Sequence, residues 1–63
     1  MNQIITFTPV TAGGEVLTTR RLGVVAFVNY VERGAALDGV ELIAIAGGSI
    51  LVIGEDGGIV ATY

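Results

Sequence analysis

A chain of 63 residues has room for a single domain, and 52% of its residues are hydrophobic while only 14% are charged. The net charge of −3 disfavours a general polyanion-binding protein, and the absence of Cys, His and Lys removes disulfides, thiolate metal sites and most nucleophilic or acid–base catalysts. We therefore predict one β-rich domain over residues 1–63 with no enzymatic activity and no cofactor.

Pairs of glycines separate runs that are rich in Val, Ile and Thr. Two-residue hairpin turns need positive φ angles, which glycine adopts without steric cost. The sequence therefore predicts turns at residues 46–49 and 55–58, with a further glycine pair at residues 13–14. Ser49 and the acidic pair Glu55-Asp56 are interpreted as turn residues, because no metal-loop or phosphate-loop spacing surrounds them.

Six short strands are predicted between these turns, and they form a small antiparallel meander or a barrel-like sheet, so the fold class is all-β. Pro9 has no backbone N–H to donate, so we expect it at an edge or at a strand end. The predicted strands span residues 3–8, 15–21, 23–31, 40–46, 49–53 and 59–62.

The segment 22–31 has an ambiguous pattern. Its β-branched and aromatic residues favour a strand. Helical spacing would nevertheless place four apolar residues on one face: Val24, Phe27, Val28 and Val31. We favour the strand, and we expect residues 34–39 to form a connecting loop or one helical turn.

Glycines also recur at positions 39, 48 and 58, which is compatible with the rungs of a parallel β-solenoid. In its Gly, Val and Ile content, the segment 34–54 is similar to β-solenoid assembly proteins such as bactofilins; this resemblance implies no function for the chain. Antiparallel hairpins explain the same glycines with shorter connections, so a meander is favoured over the solenoid.

The predicted strands 40–46 and 49–53 are apolar on both faces, so we expect a homo-oligomer or a protein partner to complete the sheet. The predicted function is a non-catalytic structural or interaction subunit, of the kind found as a small phage or mobile-element accessory protein. The candidate interface residues are Val24, Phe27, Val28, Leu42, Ile43, Ile45, Ile50, Leu51, Val52 and Ile53.

Two alternative functions use other parts of the chain. Arg20, Arg21 and Arg33 could contact nucleic acid or another acidic partner in an oligomeric regulatory protein, although the net charge does not support nucleic acid. The apolar segment from Val40 to Gly54 could belong to a membrane-associated peptide, although it is shorter than the roughly 20 residues of a spanning helix. Membrane association is therefore disfavoured.

Localisation follows from the first residues. Met1, Asn2 and Gln3 carry no basic charge ahead of the first apolar run, so we expect no secretory signal. The default expectation is a cytoplasmic protein, with association to a virion as the alternative.

Overall fold

Five antiparallel strands form one open sheet in the computed structural model, which describes residues 3–54 and 57–63. The strands are β1 (Ile4–Thr11), β2 (Arg20–Gly23), β3 (Val40–Ile45), β4 (Ile50–Ile53) and β5 (Ile59–Thr62), in the spatial order β2-β1-β3-β4-β5. The prediction of a mostly β fold is confirmed. The barrel alternative is wrong, because the sheet does not close on itself and both β2 and β5 are edges.

The third predicted strand, at residues 23–31, is wrong. Its residues form the helix α1 (Val24–Asn29), which continues into a π-helical turn (Tyr30–Gly34) and the short helix α2 (Ala35–Leu37). We call residues 24–37 the helical segment. It packs on one face of the sheet and buries Phe27, Val31 and Ala35, which recur at helical spacing. The stabilisation gained by burying these residues against the sheet outweighs the intrinsic strand preference of the β-branched residues.

The core lies between the helical segment and one face of the sheet. Phe7 at the centre of β1 is 1% exposed, and its ring contacts the rings of Phe27 at 4.9 Å and Tyr30 at 5.5 Å between centroids. These are edge-on and tilted arrangements that aromatic rings prefer. The buried core comprises Phe7, Phe27, Tyr30, Val31, Ala35, Val40, Ile43, Leu51 and Ile53.

Pro9 lies within β1 and is buried opposite Ile43, so the predicted location at a strand end is wrong. The alternative prediction, an edge, fits only locally, because the ladder between β1 and β2 ends at Phe7. The backbone carbonyl of Pro9 accepts a hydrogen bond from the N–H of Leu17, on the side away from β3. In an antiparallel strand the N and C=O of one residue face the same side, so the missing N–H also lies away from β3. The ladder to β2 covers only Ile4–Phe7, and no β1–β3 hydrogen bond is lost.

The second predicted strand, at residues 15–21, is displaced toward its end. β2 begins only at Arg20, and the preceding segment approaches β1 through one isolated bridge between Val16 and Val10. The hydroxyl groups of Thr8 and Thr19 also form a hydrogen bond of 2.8 Å. The connection therefore runs beside β1 without forming a regular ladder.

The glycine turns have the expected backbone. Gly47 and Gly48 have φ angles of 108° and 104°, and they connect β3 to β4. The turn between β4 and β5 also ends on two positive-φ glycines, while Glu55 and Asp56 lie outside the described residues. Of the two alternatives predicted for residues 34–39, a loop or one helical turn, the helical turn is confirmed, since α2 covers residues 35–37.

The turn between β4 and β5 also contacts the helical segment. The backbone N–H of Gly58 donates to the carbonyl of Val31 at 3.3 Å. Gly57, with φ at 84°, lies so close that a Cβ atom there would be 2.5 Å from the carbonyl oxygen of Glu32. Glycine at position 57 therefore permits both the turn and the close approach of the helix.

Candidate interaction surface

The sheet has one covered face and one open face. Phe7 marks the covered face, because its ring lies against Phe27 of the helical segment. Side chains alternate along a strand, so Thr6 and Thr8 point to the opposite face. This opposite side carries no helix among the described residues, since the single helical segment packs on the other side.

The strand register extends this assignment across the sheet, because directly paired residues share a face. Thr8 pairs with Ala44, and Ala44 pairs with Ile50. Ile50 and Tyr63 exchange two backbone hydrogen bonds, of 2.9 Å and 2.8 Å. The open face therefore comprises Ile4, Thr6, Thr8, Val10, Arg21, Gly23, Leu42, Ala44, Ile50, Val52, Ala61 and Tyr63.

Apolar and hydroxyl side chains dominate the open face, and Arg21 is the one charged residue in this set. Ile4 is 50% exposed, Ile50 39% and Tyr63 77%. Glu41 is exposed at the margin, where a bulge in the pairing of β1 with β3 leaves it without a Cα partner. A contiguous surface with so few charges is typical of a contact with another macromolecule.

The ten candidate interface residues fall into three groups. Four of them, Phe27, Ile43, Leu51 and Ile53, are buried in the core of the chain, and Ile45 packs against that core. Val24 and Val28 are partly exposed on the helical segment. The three on the open face are Leu42, Ile50 and Val52.

The sequence analysis missed the open-face residues contributed by β1 and β5. Thr6 and Thr8 on β1, and Ala61 on β5, belong to the predicted strands 3–8 and 59–62, whereas Val10 lies beyond the predicted end of the first strand. Their alternation identifies two faces in each strand but does not tell which face is covered. Only the location of the helical segment settles that choice.

The two edges of the sheet differ in chemistry. Because Tyr63 hydrogen-bonds to β4, the N–H and C=O of its neighbour Thr62 face away from β4. β5 carries no charged residue, whereas the opposite edge strand, β2, carries Arg20 and Arg21. Charged residues discourage edge-to-edge pairing, so β5 is the less protected edge.

A small apolar cleft of about 140 Å³ lies between the helical segment and the start of β5. Among the residues that the structure describes, Glu32 is its single charged lining residue, and the others are Phe27, Val28, Val31, Gly58 and Ile59. Apart from this carboxylate, none of these lining residues could act as a catalytic base or nucleophile. The cleft is too small for the typical ligand pockets of roughly 300–1,000 Å³.

The three arginines do not converge on one surface. Arg20 pairs with Phe7 and therefore lies toward the covered face, where its guanidinium stacks over the ring of Tyr30 at 4.8 Å. Arg21 lies on the open face opposite Thr6, and Arg33 belongs to the π-helical turn. The geometry therefore brings together Arg20 and Tyr30 but forms no shared cationic patch of the three side chains.

Tyr30 contacts both the guanidinium of Arg20 and the carboxylate of Asp38. Its phenol donates a hydrogen bond of 3.3 Å to Asp38 at the end of the helical segment. Burial raises the pKa of Tyr30 above its ordinary value of 10.0, the charge and hydrogen bond of Asp38 raise it further, and Arg20 partly opposes them. The neutral phenol is thus the form that the folded state favours.

This arrangement predicts a pH dependence of stability at high pH. Because folding raises the pKa of Tyr30, the neutral phenol contributes to the free energy of unfolding. This contribution is complete below about pH 10 and is lost as the pH rises through the raised pKa. Above pH 10, the free energy of unfolding should therefore fall more steeply for the wild type than for Tyr30→Phe. Chemical denaturation at a series of pH values, followed by far-UV circular dichroism, measures both slopes.

A second variant separates the charge from the burial. Asp38→Asn removes the negative charge beside the phenol, so its slope should lie between those of the wild type and Tyr30→Phe. At pH 7, Tyr30→Phe should cost about 1 kcal/mol, the contribution of one hydrogen bond. Equal slopes for the wild type and Tyr30→Phe would contradict the coupling.

The segment from Val40 to Gly54 forms the β3–β4 hairpin, whereas the membrane-peptide alternative predicts a helix there. Within residues 3–54 and 57–63, no helix is long and apolar enough to span a bilayer. The same residues contain no cluster of three or more potential metal ligands.

A scan of protein-family models finds none that matches this chain, and searches of curated proteins and of solved structures find no significant match.

Proposed function

We propose that this chain is a non-catalytic structural or interaction subunit that assembles with copies of itself through its sheet. The main support for the proposal is the apolar surface of the sheet that remains exposed in the folded chain. Ile4, Leu42 and Ile50 all lie on the open face of the sheet and remain at least 37% exposed, although the helical segment already covers the other face. Burying such side chains stabilises an assembly by about 25 cal/mol per Å² of apolar surface.

The chemical inventory supports a role without catalysis. The chain has no Cys, His or Lys, and its single serine, Ser49, is exposed in the β3–β4 turn. Arg20 stacks on Tyr30, and Tyr30 donates a hydrogen bond to Asp38, so these ionisable side chains stabilise the end of the helical segment. These features suit a binding or structural subunit better than an active site.

Measurement of the mass in solution over a dilution series tests this function. We expect a defined oligomer at high concentration that dissociates on dilution, with the far-UV circular dichroism of a mixed sheet and helix in both states. A folded monomer at every concentration would contradict self-assembly.

A further inference from the structure

We propose that a second copy of this chain packs on the open face, giving a symmetric dimer in which two sheets meet and the helical segments lie outside. This inference rests on the proposed function and specifies the surface and the partner. It selects the open face over the free edge of β5 and over the cleft beside the helical segment.

The size of the open face suits a small dimer. Five strands spaced about 4.8 Å apart make a sheet about 24 Å wide, and strands of four to eight residues give it a mean length of about 17 Å. The face therefore covers roughly 400 Å² in projection, or roughly 800 Å² for two copies. Side-chain relief adds to this area and brings it near the ~1,000 Å² expected of a biological interface.

The shape of the face also favours a copy of itself. Two sheets pack with their mean planes about 10 Å apart when side chains from both interdigitate. The middle of this face has small side chains, Ala44 and Thr8, beside the larger Ile50 and Leu42. Large residues of one copy can therefore enter the shallow centre of the other.

The acidic residues of the helical segment and its end do not oppose this arrangement. Glu32 and Asp38 lie on the helical segment and at its end, on the far side of the sheet from the open face. In a face-to-face dimer the two helical segments are separated by both sheets, a distance well beyond the screening length of about 8 Å in physiological salt. The charges of Glu32 and Asp38 thus produce little repulsion across the interface.

The chemistry of the face argues for a copy over a charged partner. Arg21 lies on the edge strand β2, and Glu41 lies at the margin, so no cluster of like charge marks the face for an acidic or a basic ligand. A sheet face whose charges are confined to its edge and margin matches a second face of the same composition and dimensions. The limited area predicts a dissociation constant on the order of micromolar or weaker.

The experiment measures the dimer dissociation constant of the wild type and of three variants by analytical ultracentrifugation. Ile50→Lys places a cation at the centre of the open face, and Val25→Lys makes the same charge change on the helical segment, where Val25 is 77% exposed. Thr62→Pro removes an outward-facing N–H from the edge of β5 without removing a bond to β4. Concentrations between about 1 mM and 1 μM bracket the expected affinity.

We expect Ile50→Lys to weaken the dimer by roughly a hundredfold or more, because an unpaired charge would be buried, and we expect the other two variants to leave it within about threefold. If Thr62→Pro or Val25→Lys abolished the dimer and Ile50→Lys did not, the open-face dimer would be overturned, but the proposed self-assembly would not. A monomeric wild type would overturn both the open-face dimer and self-assembly, and the open face would then be a candidate contact for a different protein.

A second measurement does not depend on introducing a charge. The chain has no cysteine, so Ala44→Cys supplies a single thiol on the open face and Val25→Cys a matched thiol on the helical segment. Alkylation of Ala44→Cys should slow at least about tenfold between dilute and concentrated protein, whereas Val25→Cys should react equally fast in both. Equal rates for Ala44→Cys, at concentrations where the protein is dimeric, would overturn the proposal.

Discussion

Replacing Phe7 with Ala is expected to unfold a large fraction of the molecules at 25 °C. The side chain is 1% exposed and contacts the rings of Phe27 and Tyr30, so its removal leaves a cavity where the sheet meets the helical segment. Phe-to-Ala changes in cores cost about 3–5 kcal/mol. A core of this size supplies about 3–5 kcal/mol of net stability, so the loss is comparable with the whole.

Urea denaturation of the wild type and variants, at one fixed protein concentration, measures this effect. The fixed concentration matters because self-association adds stability that depends on concentration. Phe7→Leu keeps most of the volume and should retain the fold, and Val25→Ala, at an exposed site, should shift the free energy of unfolding by less than about 0.5 kcal/mol. A denaturation midpoint for Phe7→Ala equal to that of the wild type would refute the assignment of Phe7 to the core.

Among alanine substitutions at the glycines of the turn between β4 and β5, Gly57→Ala should destabilise the fold most. Gly57 has φ at 84°, and a Cβ there would lie 2.5 Å from the carbonyl oxygen of Glu32. The left-handed conformation costs about 1–2 kcal/mol for a residue with a side chain, and the overlap with the backbone adds about 1–3 kcal/mol. The expected total is about 2–5 kcal/mol.

Gly14 provides a matched control for this prediction. Its φ is 85°, nearly the same as that of Gly57, but no atom lies within 4 Å of a Cβ placed there. Gly14→Ala should therefore cost only the conformational term, about 1–2 kcal/mol. The difference between the two variants in denaturation isolates the contact of the turn with the helical segment. Equal costs would mean that the turn can move away from Glu32 freely.

Several strands could be predicted from the sequence because the signals are local. The glycine pair at positions 47–48 predicts the turn between β3 and β4, and both flanking strands lie where the apolar runs place them. The first strand is predicted too, although it extends three residues further, to Thr11. In each case glycine conformation and short-range apolar patterns contain enough information.

The helical segment could not be predicted in the same way. Val24, Val25 and Val28 favour a strand by intrinsic preference, and the opposing evidence is the spacing of Phe27 and Val31. That spacing becomes decisive only when a sheet of the right size needs a cover for its apolar face. The deciding interaction is therefore tertiary, between residues that are far apart in the chain.

Only part of the candidate surface could be predicted, again because the deciding interactions are tertiary. Leu42, Ile50 and Val52 were predicted as interface residues and lie on the open face, whereas Ile43 and Leu51, their neighbours in sequence, lie in the core. Both sets belong to strands that are apolar throughout, so alternation gives no distinction between them. The register between strands and the location of the helix are needed to separate the two faces.

The strand order also has a consequence for folding during synthesis. β1 lies between β2 and β3, so it finds its second neighbour only after the helical segment and β3 have been synthesised. The β1–β2 hairpin alone is a two-stranded unit, which is marginal in water. The nascent chain therefore acquires a stable sheet only once β3 is available, and until then Phe7 and Ile5 remain without their core.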